Sequence, residues 1–300
     1  MSGTLQISPP DADVLVHFGV SLVASMGGRY NQHWHVESRH GACVLRRWGQ
    51  SINSDGLASV QYEVHLMAQL AELGWPVPLS IEEPVERAGH WWSLAPLLPG
   101  TLTTAHGSGT EQRKRGRLLA ELHQDLAQIE GLGQRPGWRR CEEILADPEL
   151  DSVLSHNEQR YPQEVSILRW HLERARLRIA GLSLFERPGI AIHGDFTPWN
   201  LHFADDQFSG ILDFELAHRD HRIGDFALAW RGKYEEVVFG YDEVSPLEPE
   251  EWALLTPLWW TGLIEGACRD LLRGTPDDGW TIKKLLERSA LMGMDAVPFR

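Results

Sequence analysis

From His33 to Glu37 apolar and polar residues alternate, Trp34 and Val36 falling between His33, His35 and Glu37, and this period of two predicts a half-buried strand. Cys43 to Trp48 (CVLRRW) predicts a second strand. Its alternation groups Val44, Arg46 and Trp48 on one face and Cys43, Leu45 and Arg47 on the other. An earlier strand is expected within Val14 to Ala24, and Met26-Gly27-Gly28-Arg29-Tyr30-Asn31 reads as a glycine turn joining two strands. Helical spacing takes over from Ala58 to Leu73, where Val60, Val64, Met67 and Ala71 recur, and Gly74 ends the helix before Trp75-Pro76. Pro76 to Pro84 is a proline-punctuated loop, and Trp91 to Leu98 is another apolar segment, broken by Pro99-Gly100.

A boundary is expected at that break, with residues 1–98 forming one lobe and residues 99–300 the other. Helices dominate the second. Leu118, Leu119, Leu122 and Leu126 make one stripe, and Val165, Leu168, Leu172, Ala175, Ile179 and Leu182 a longer one. Trp252, Leu255, Trp259 and Leu263 make a third, expected to bend at Pro257. Ile190 to His193 and Ser209 to Phe214 read as short strands between them. Strands with one helix, followed mostly by helices, predict an α+β protein of two lobes.

Composition narrows the function. The chain of 300 residues carries 28 Lys+Arg against 42 Asp+Glu, a formal charge of −14, which excludes a nucleic-acid binder and leaves room for a cationic partner. Three distant cysteines without a CxxC pair exclude a disulfide framework or a cysteine-built zinc site. The opening MSGTLQISPP lacks a basic region followed by an apolar stretch, so a reducing, cytoplasmic setting is expected. The most apolar stretch, Ala253 to Ile264, is too short to span a bilayer, so no membrane association is expected. The histidine pairs His218/His221 and His33/His35 have no HExxH pattern beside them and are not read as a zinc site.

The chemistry concentrates in Ile192-His193-Gly194-Asp195-Phe196-Thr197-Pro198-Trp199-Asn200 and Ile211-Leu212-Asp213-Phe214-Glu215. Each acidic or amide group lies at the end of a short apolar strand or in the loop after it, where reactive groups are usually mounted. Two carboxylates and an amide oxygen are hard ligands that can hold magnesium and leave one carboxylate to face a hydroxyl. That set suits phosphoryl transfer, in which positioning and charge neutralisation do most of the catalysis.

HGDFTPWN followed by ILDFE resembles the catalytic loop, HxDxxxxN, and the metal motif of the aminoglycoside phosphotransferases and their choline-kinase-like and homoserine-kinase-like relatives. Ile223-Gly224-Asp225-Phe226-Ala227 is similar to the downstream GD segment of that family, and CVLRRW, YEVHLMAQLAELGWPVP and LLAELH resemble its early strand and first helices. The resemblance runs from about Met26 to Leu272. It implies a bilobal protein-kinase-like fold, with a small N-terminal antiparallel-sheet lobe carrying one helix and a larger, mainly helical C-terminal lobe. The activity implied is that of a small-molecule kinase using ATP or GTP and Mg2+. Asp195 would accept or orient the substrate hydroxyl, His193 would brace the loop, and Asp225 would support it from behind. Asn200 and Asp213 would hold the metal. Arg46, oriented by Glu63, would contact the nucleotide phosphates, although Arg47 beside it competes for that role. The adenine would sit against Ala95 to Leu98. Met26 to Asn31 departs from the GxGxxG pattern.

Trp230, Trp252, Trp259, Trp260 and Trp280 fall where such a family builds its acceptor pocket, and indole suits an ammonium group. Glu265 and Asp270 are placed to meet an amine, with Asp277-Asp278 extending the surface. The acidic, aromatic C-terminal third suggests a cation, and the resemblance supplies the leading acceptor, a polyamino sugar such as an aminoglycoside, which would make this an antibiotic-resistance enzyme. Metabolic acceptors (an amino alcohol such as choline, homoserine, or a sugar) and a catalytically silent nucleotide binder are the rivals, and a monomer or homodimer is expected.

Overall fold

A computed structural model describes residues 7–28, 30–103, 105–274 and 279–293. In chain order its elements begin α1 (Ala12–Phe18), β1 (Ser21–Gly27), β2 (Gln32–Ser38), β3 (Gly41–Arg47), α2 (Ser54–Glu72), β4 (Val85–Arg87), β5 (His90–Pro96) and β6 (Thr101–Leu102). There follow α3 (Gly109–Leu126), α4 (Cys141–Ala146), α5 (Pro148–Asn157), α6 (Pro162–Ile179), β7 (Ile190–Ile192), β8 (Leu201–Ala204), β9 (Gln207–Ile211) and β10 (His218–Asp220). Helices α7 (Phe226–Ala229), α8 (Glu235–Asp242), α9 (Pro249–Leu272) and α10 (Trp280–Leu286) complete the order.

Two compact units emerge, and neither is contiguous. The first comprises Met1–Thr104, Ile129–Pro136 and Trp199–Glu215; the second comprises Ala105–Gln128, Gly137–Pro198 and Leu216–Arg300. The break expected after residue 98 thus becomes a division in which two later segments return to the sheet unit.

The first unit is built on an antiparallel sheet in the order β1-β2-β3-β5-β4. Its alternation sorts the two faces. Trp34, Val36, Cys43 and Leu45 form one core with Val14 and Phe18 of α1. Trp48 packs on the opposite side with Trp91 and with Val60 of α2. The strand expected within Val14 to Ala24 is there as β1, which begins only at Ser21, and the first part of that stretch is the helix α1. The physical reason is the four-residue spacing of Val14 and Phe18, which caps the Cys43/Leu45 face, and the left-handed Gly19 that closes the helix. The unit therefore carries α1 and α2 rather than one helix. A second sheet of this unit, β6-β8-β9, brings in the residues after Pro198.

In the second unit α3 and α8 cross closely enough that a Cβ on Gly116 would lie 2.0 Å from the Val237 carbonyl oxygen. Helix α9 supplies much of the core through Leu254, Leu255, Trp259, Trp260 and Ile264 and runs on through Pro257. Strands β7 and β10 form an antiparallel pair. Among the described residues no helix is long and apolar enough to cross a membrane. Cys43, Cys141 and Cys268 are free and buried.

Candidate active site

The sheet unit contains a cavity of about 260 Å³ whose walls include Val44, Arg46, Trp48, Ala95, Asn200 and Asp213. Strand parity explains the first three, because Val44, Arg46 and Trp48 face away from the α1 core that takes Cys43 and Leu45. Arg46 rather than Arg47 therefore reaches this space. Its guanidinium lies 3.8 Å from the Trp48 ring centroid and is gripped by Glu63 at 2.5 and 3.4 Å. Glu63 is fully buried, not on a solvated helix face. His33, opposite Arg46 on β2, has its pKa lowered to about 3 by burial and then by the Arg46 charge, so it adds no positive charge near neutrality. Met26 lines the same cavity, as do Ala95 to Leu98; Arg29 of the glycine turn lies outside the described residues.

Asn200 and Asp213 flank paired strands. Asn200 immediately precedes β8 and Asp213 closely follows β9, while Leu201 pairs with Ile211 and the Leu212 N–H donates to the Asn200 carbonyl (2.8 Å). Both side chains border the cavity, and Asp213 sits in the left-handed region at φ 62°. An amide oxygen and a carboxylate fit magnesium, which keeps waters and substrate phosphates as its other ligands. Among the described residues no three His, Cys, Asp or Glu side chains cluster as a metal site.

Arg135 anchors this region. Only 1% exposed, it donates Nε to Ser59 Oγ (2.8 Å), Nη1 to the Phe214 and Glu215 carbonyls (3.1 and 2.8 Å) and Nη2 to Glu63 (3.4 Å). One guanidinium thus joins helix α2, the partner of Arg46, and the two residues after Asp213.

Asp195 belongs to the second unit, where β7 leads into it. Gly194 is at φ 81°, and a Cβ there would meet the Leu216 carbonyl oxygen at 2.2 Å, so the turn accepts no larger residue without a shift. The His193 and Gly194 N–H groups donate to Asp225 (3.0 and 2.5 Å), and the Asp195 N–H donates to His193 Nδ1 (3.1 Å). Asp225 is fully buried and also meets His123 Nε2 at 2.8 Å, while His123 Nδ1 meets the Tyr241 hydroxyl at 2.9 Å. Burial by itself would raise the Asp225 pKa; the His123 bond and the nearby His123 and His193 outweigh it and hold the carboxyl below its usual range. The Asp225 carboxylate is a loop brace and makes no side-chain cap for α7.

The sequence profile of a known family, described as "Phosphotransferase enzyme family", matches residues 23–245. The chain belongs to that family. Its homoserine kinase relative from Xanthobacter autotrophicus is 28% identical over 254 residues, covering 77% of this chain and 74% of the relative. The homoserine kinase of Methylobacterium radiotolerans is 26% identical over 249 residues, covering 76% and 73%. Among solved structures, an aminoglycoside phosphotransferase from Alicyclobacillus acidocaldarius superposes with a TM-score of 0.64 at 14% identity, over 94% of this chain and 92% of that one. A thermostable mutant of aminoglycoside phosphotransferase APH(4)-Ia, in complex with ADP and hygromycin B, superposes at 0.65 and 15% identity, over 91% and 95%. At such identities the structural likeness shows the kinase-like fold alone. The enzyme expectation, a small-molecule kinase, stands.

Of the residues in this phosphotransferase expected to form the acceptor surface, Trp280 is exposed, while others are buried or ion-paired. Trp259 is 4% exposed, and Trp230 and Trp260 are buried with it. Glu265 is bridged by Arg139 (3.2 Å) and Arg269 (3.3 Å), and Asp270 lies 3.9 Å from Arg273. Asp277 and Asp278 lie outside the described residues. Sequence reasoning missed two residues. His123 falls within the buried Leu119/Leu122/Leu126 stripe, and that placement was its available signal. Arg135 sits in an aperiodic Gly-rich segment, IEGLGQRP, that gives none.

Proposed function

We propose that this phosphotransferase moves the γ-phosphoryl group of ATP or GTP, with Mg2+, to the hydroxyl of a small amino-acid alcohol of the homoserine class. The observation that carries the nucleotide half is the convergence of Glu63-oriented Arg46 with Asn200 and Asp213 on one cavity, beside the slot lined by Ala95 to Leu98. Arg46 meets phosphate oxygens, which its planar fork suits. Asn200 and Asp213 would hold the magnesium, which when bound would supply charge neutralisation at the phosphates. Met26, near the end of β1, covers the nucleotide.

Asp195 accepts a hydrogen bond from the acceptor hydroxyl and takes its proton as the new oxygen–phosphorus bond forms and the bond from the γ-phosphorus to the bridging oxygen breaks, releasing the nucleoside diphosphate. His193 and Asp225 fix the backbone that presents Asp195. The homoserine kinase relatives, aligned over about three quarters of the chain, support the acceptor class. The ion-paired state of Glu265 and Asp270 and the burial of Trp259 weigh against a polyamino sugar held by those groups. Three buried free thiols suit a reducing, cytoplasmic setting.

Nucleotide consumption measured across amino-acid alcohols, amino alcohols, sugars and aminoglycosides tests the assignment. Homoserine or a close homologue should give the highest kcat/KM, and a clear preference for an aminoglycoside would replace this reading with the polyamino-sugar one.

A further inference from the structure

One row of residues crosses the sheet of the first unit at the cavity. Gly27 of β1 pairs with His33 of β2, His33 with Arg46 of β3, and Arg46 with Ser93 of β5. His33, Arg46 and Ser93 all line the cavity, and cross-strand neighbours on one face stand about 5 Å apart at their Cβ atoms. Two of the three side chains have partners within the protein. Ser93 Oγ accepts from the Trp48 indole N–H (2.9 Å), and Arg46 is bonded to Glu63. The His33 ring is different: among the described residues it has no hydrogen-bond or ion-pair partner. Its neighbour on β1 is a glycine, so no side chain stands beside it on that side. The acids of this region are committed elsewhere. Glu63 bridges Arg46 and Arg135, Glu215 accepts from Asn31 Nδ2 (2.5 Å), and Asp213 on the cavity wall belongs to the magnesium set. Burial and then the Arg46 charge lower the His33 pKa to about 3, so near neutrality the ring is uncharged and has one N–H to donate.

We propose that His33 is a phosphate ligand of the nucleotide, its ring N–H donating to an oxygen beside the one that meets Arg46; this rests on the nucleotide half of the proposed function. The register places the two groups side by side on the cavity, close enough to meet neighbouring oxygens of one polyphosphate. An uncharged imidazole adds a directional donor without opposing the guanidinium next to it, and a bond from it to a charged oxygen is stronger than one between neutral groups. The chain also departs from GxGxxG between Met26 and Asn31, so its side chains, His33 and Arg46, take over contacts that a glycine-loop backbone would otherwise make.

Calorimetric titration of wild type, His33→Ala and His33→Gln with Mg2+-ATP or Mg2+-GTP, whichever binds tighter, with inorganic tripolyphosphate and with the matching nucleoside tests the assignment. His33→Ala should bind the nucleotide and tripolyphosphate roughly ten- to a hundredfold more weakly, the loss of one hydrogen bond to a charged oxygen, with nucleoside affinity unmoved. His33→Gln keeps an N–H donor and should recover part of that loss. Wild-type affinity for nucleotide and tripolyphosphate in His33→Ala overturns the phosphate contact, and so does an equal loss toward the nucleoside, which would place the ring against the base. If His33→Ala misfolds, the wild-type protein carries the test. In 1H–13C spectra its His33 ring signal, assigned by its loss in His33→Gln, should move with tripolyphosphate and stay in place with the nucleoside; a signal moved by neither, or only by the nucleoside, overturns the contact. Nucleotide bound and turned over equally by wild type and both variants removes His33 from the site and leaves the proposed function standing, whereas a wild type that binds neither nucleotide nor tripolyphosphate overturns both.

Discussion

Replacing Arg135 with methionine isolates the consequence of its position. Methionine keeps an unbranched apolar stem and removes every donor. The guanidinium it deletes serves Ser59, Glu63 and the Phe214 and Glu215 carbonyls from a site that is 1% exposed. Breaking a buried charge pair by removing one partner costs about 3–5 kcal/mol. Two carbonyls stripped of a donor would add about 1–3 kcal/mol each if water could not reach them. Glu63 keeps Arg46 as a partner, which reduces the first figure, so a net loss of about 3–5 kcal/mol is expected. The functional effect is separate. With Glu63 and the segment after Asp213 no longer joined, nucleotide kcat/KM should fall about tenfold or more, each factor of ten being about 1.4 kcal/mol. Urea unfolding followed by tryptophan fluorescence reads the first quantity, and initial rates against nucleotide concentration read the second. Arg135→Lys should recover little, because an ammonium cannot span this set of acceptors. A stability within about 1 kcal/mol of wild type together with an unchanged nucleotide KM would refute the reasoning.

Two further predictions concern the second unit. His171 is fully buried, and burial, opposed by its bond to the Ile167 carbonyl, lowers its pKa to about 4. Its folded pKa lies below its unfolded one, so the unfolded chain binds the proton first; the stability it protects is complete above about pH 6.5 and is lost as pH falls toward 4. His33 acts with the same sign in the first unit. Unfolding free energies measured from pH 7 to pH 4 should decline, and His171→Phe should flatten the slope; identical slopes would count against it. Gly194→Ala should lower kcat at least tenfold while sparing nucleotide binding, because the added methyl meets the Leu216 carbonyl oxygen and a non-glycine residue at φ 81° costs about 1–3 kcal/mol. Equilibrium binding of nucleotide beside turnover separates the two effects.

Much of the sheet was legible because strand parity is local. Cys43 to Trp48 declares its two faces in sequence, and those faces take α1 on one side and the cavity on the other. Helix α1 was not legible as such, since its apolar run Val14-Leu15-Val16 reads equally as a strand and only Val14 and Phe18 of its seven residues are buried. The motif residues were legible as types at a spacing, but not their partners. Glu63 reads as a charge on an amphipathic helix until two arginines close over it. Arg135 comes from a segment without periodicity, and its burial depends on contacts more than seventy residues away in sequence. The acidic C-terminal third suggested a cation-binding face, yet Glu265 and Asp270 have arginines of their own. Net charge counts those carboxylates; only structure shows which are already neutralised.

The central claim is transfer of a γ-phosphoryl group to an acceptor hydroxyl through Asp195, with Asp213 serving the metal-bound nucleotide. The most direct measurement follows γ-labelled nucleotide in the presence of homoserine while nucleotide binding is recorded on the same preparations. Wild type should yield phosphorylated acceptor in step with nucleoside diphosphate, Asp195→Asn should bind nucleotide but form no product, and Asp213→Ala should lose magnesium-nucleotide binding as well. Product formed by Asp195→Asn at the wild-type rate would contradict the account.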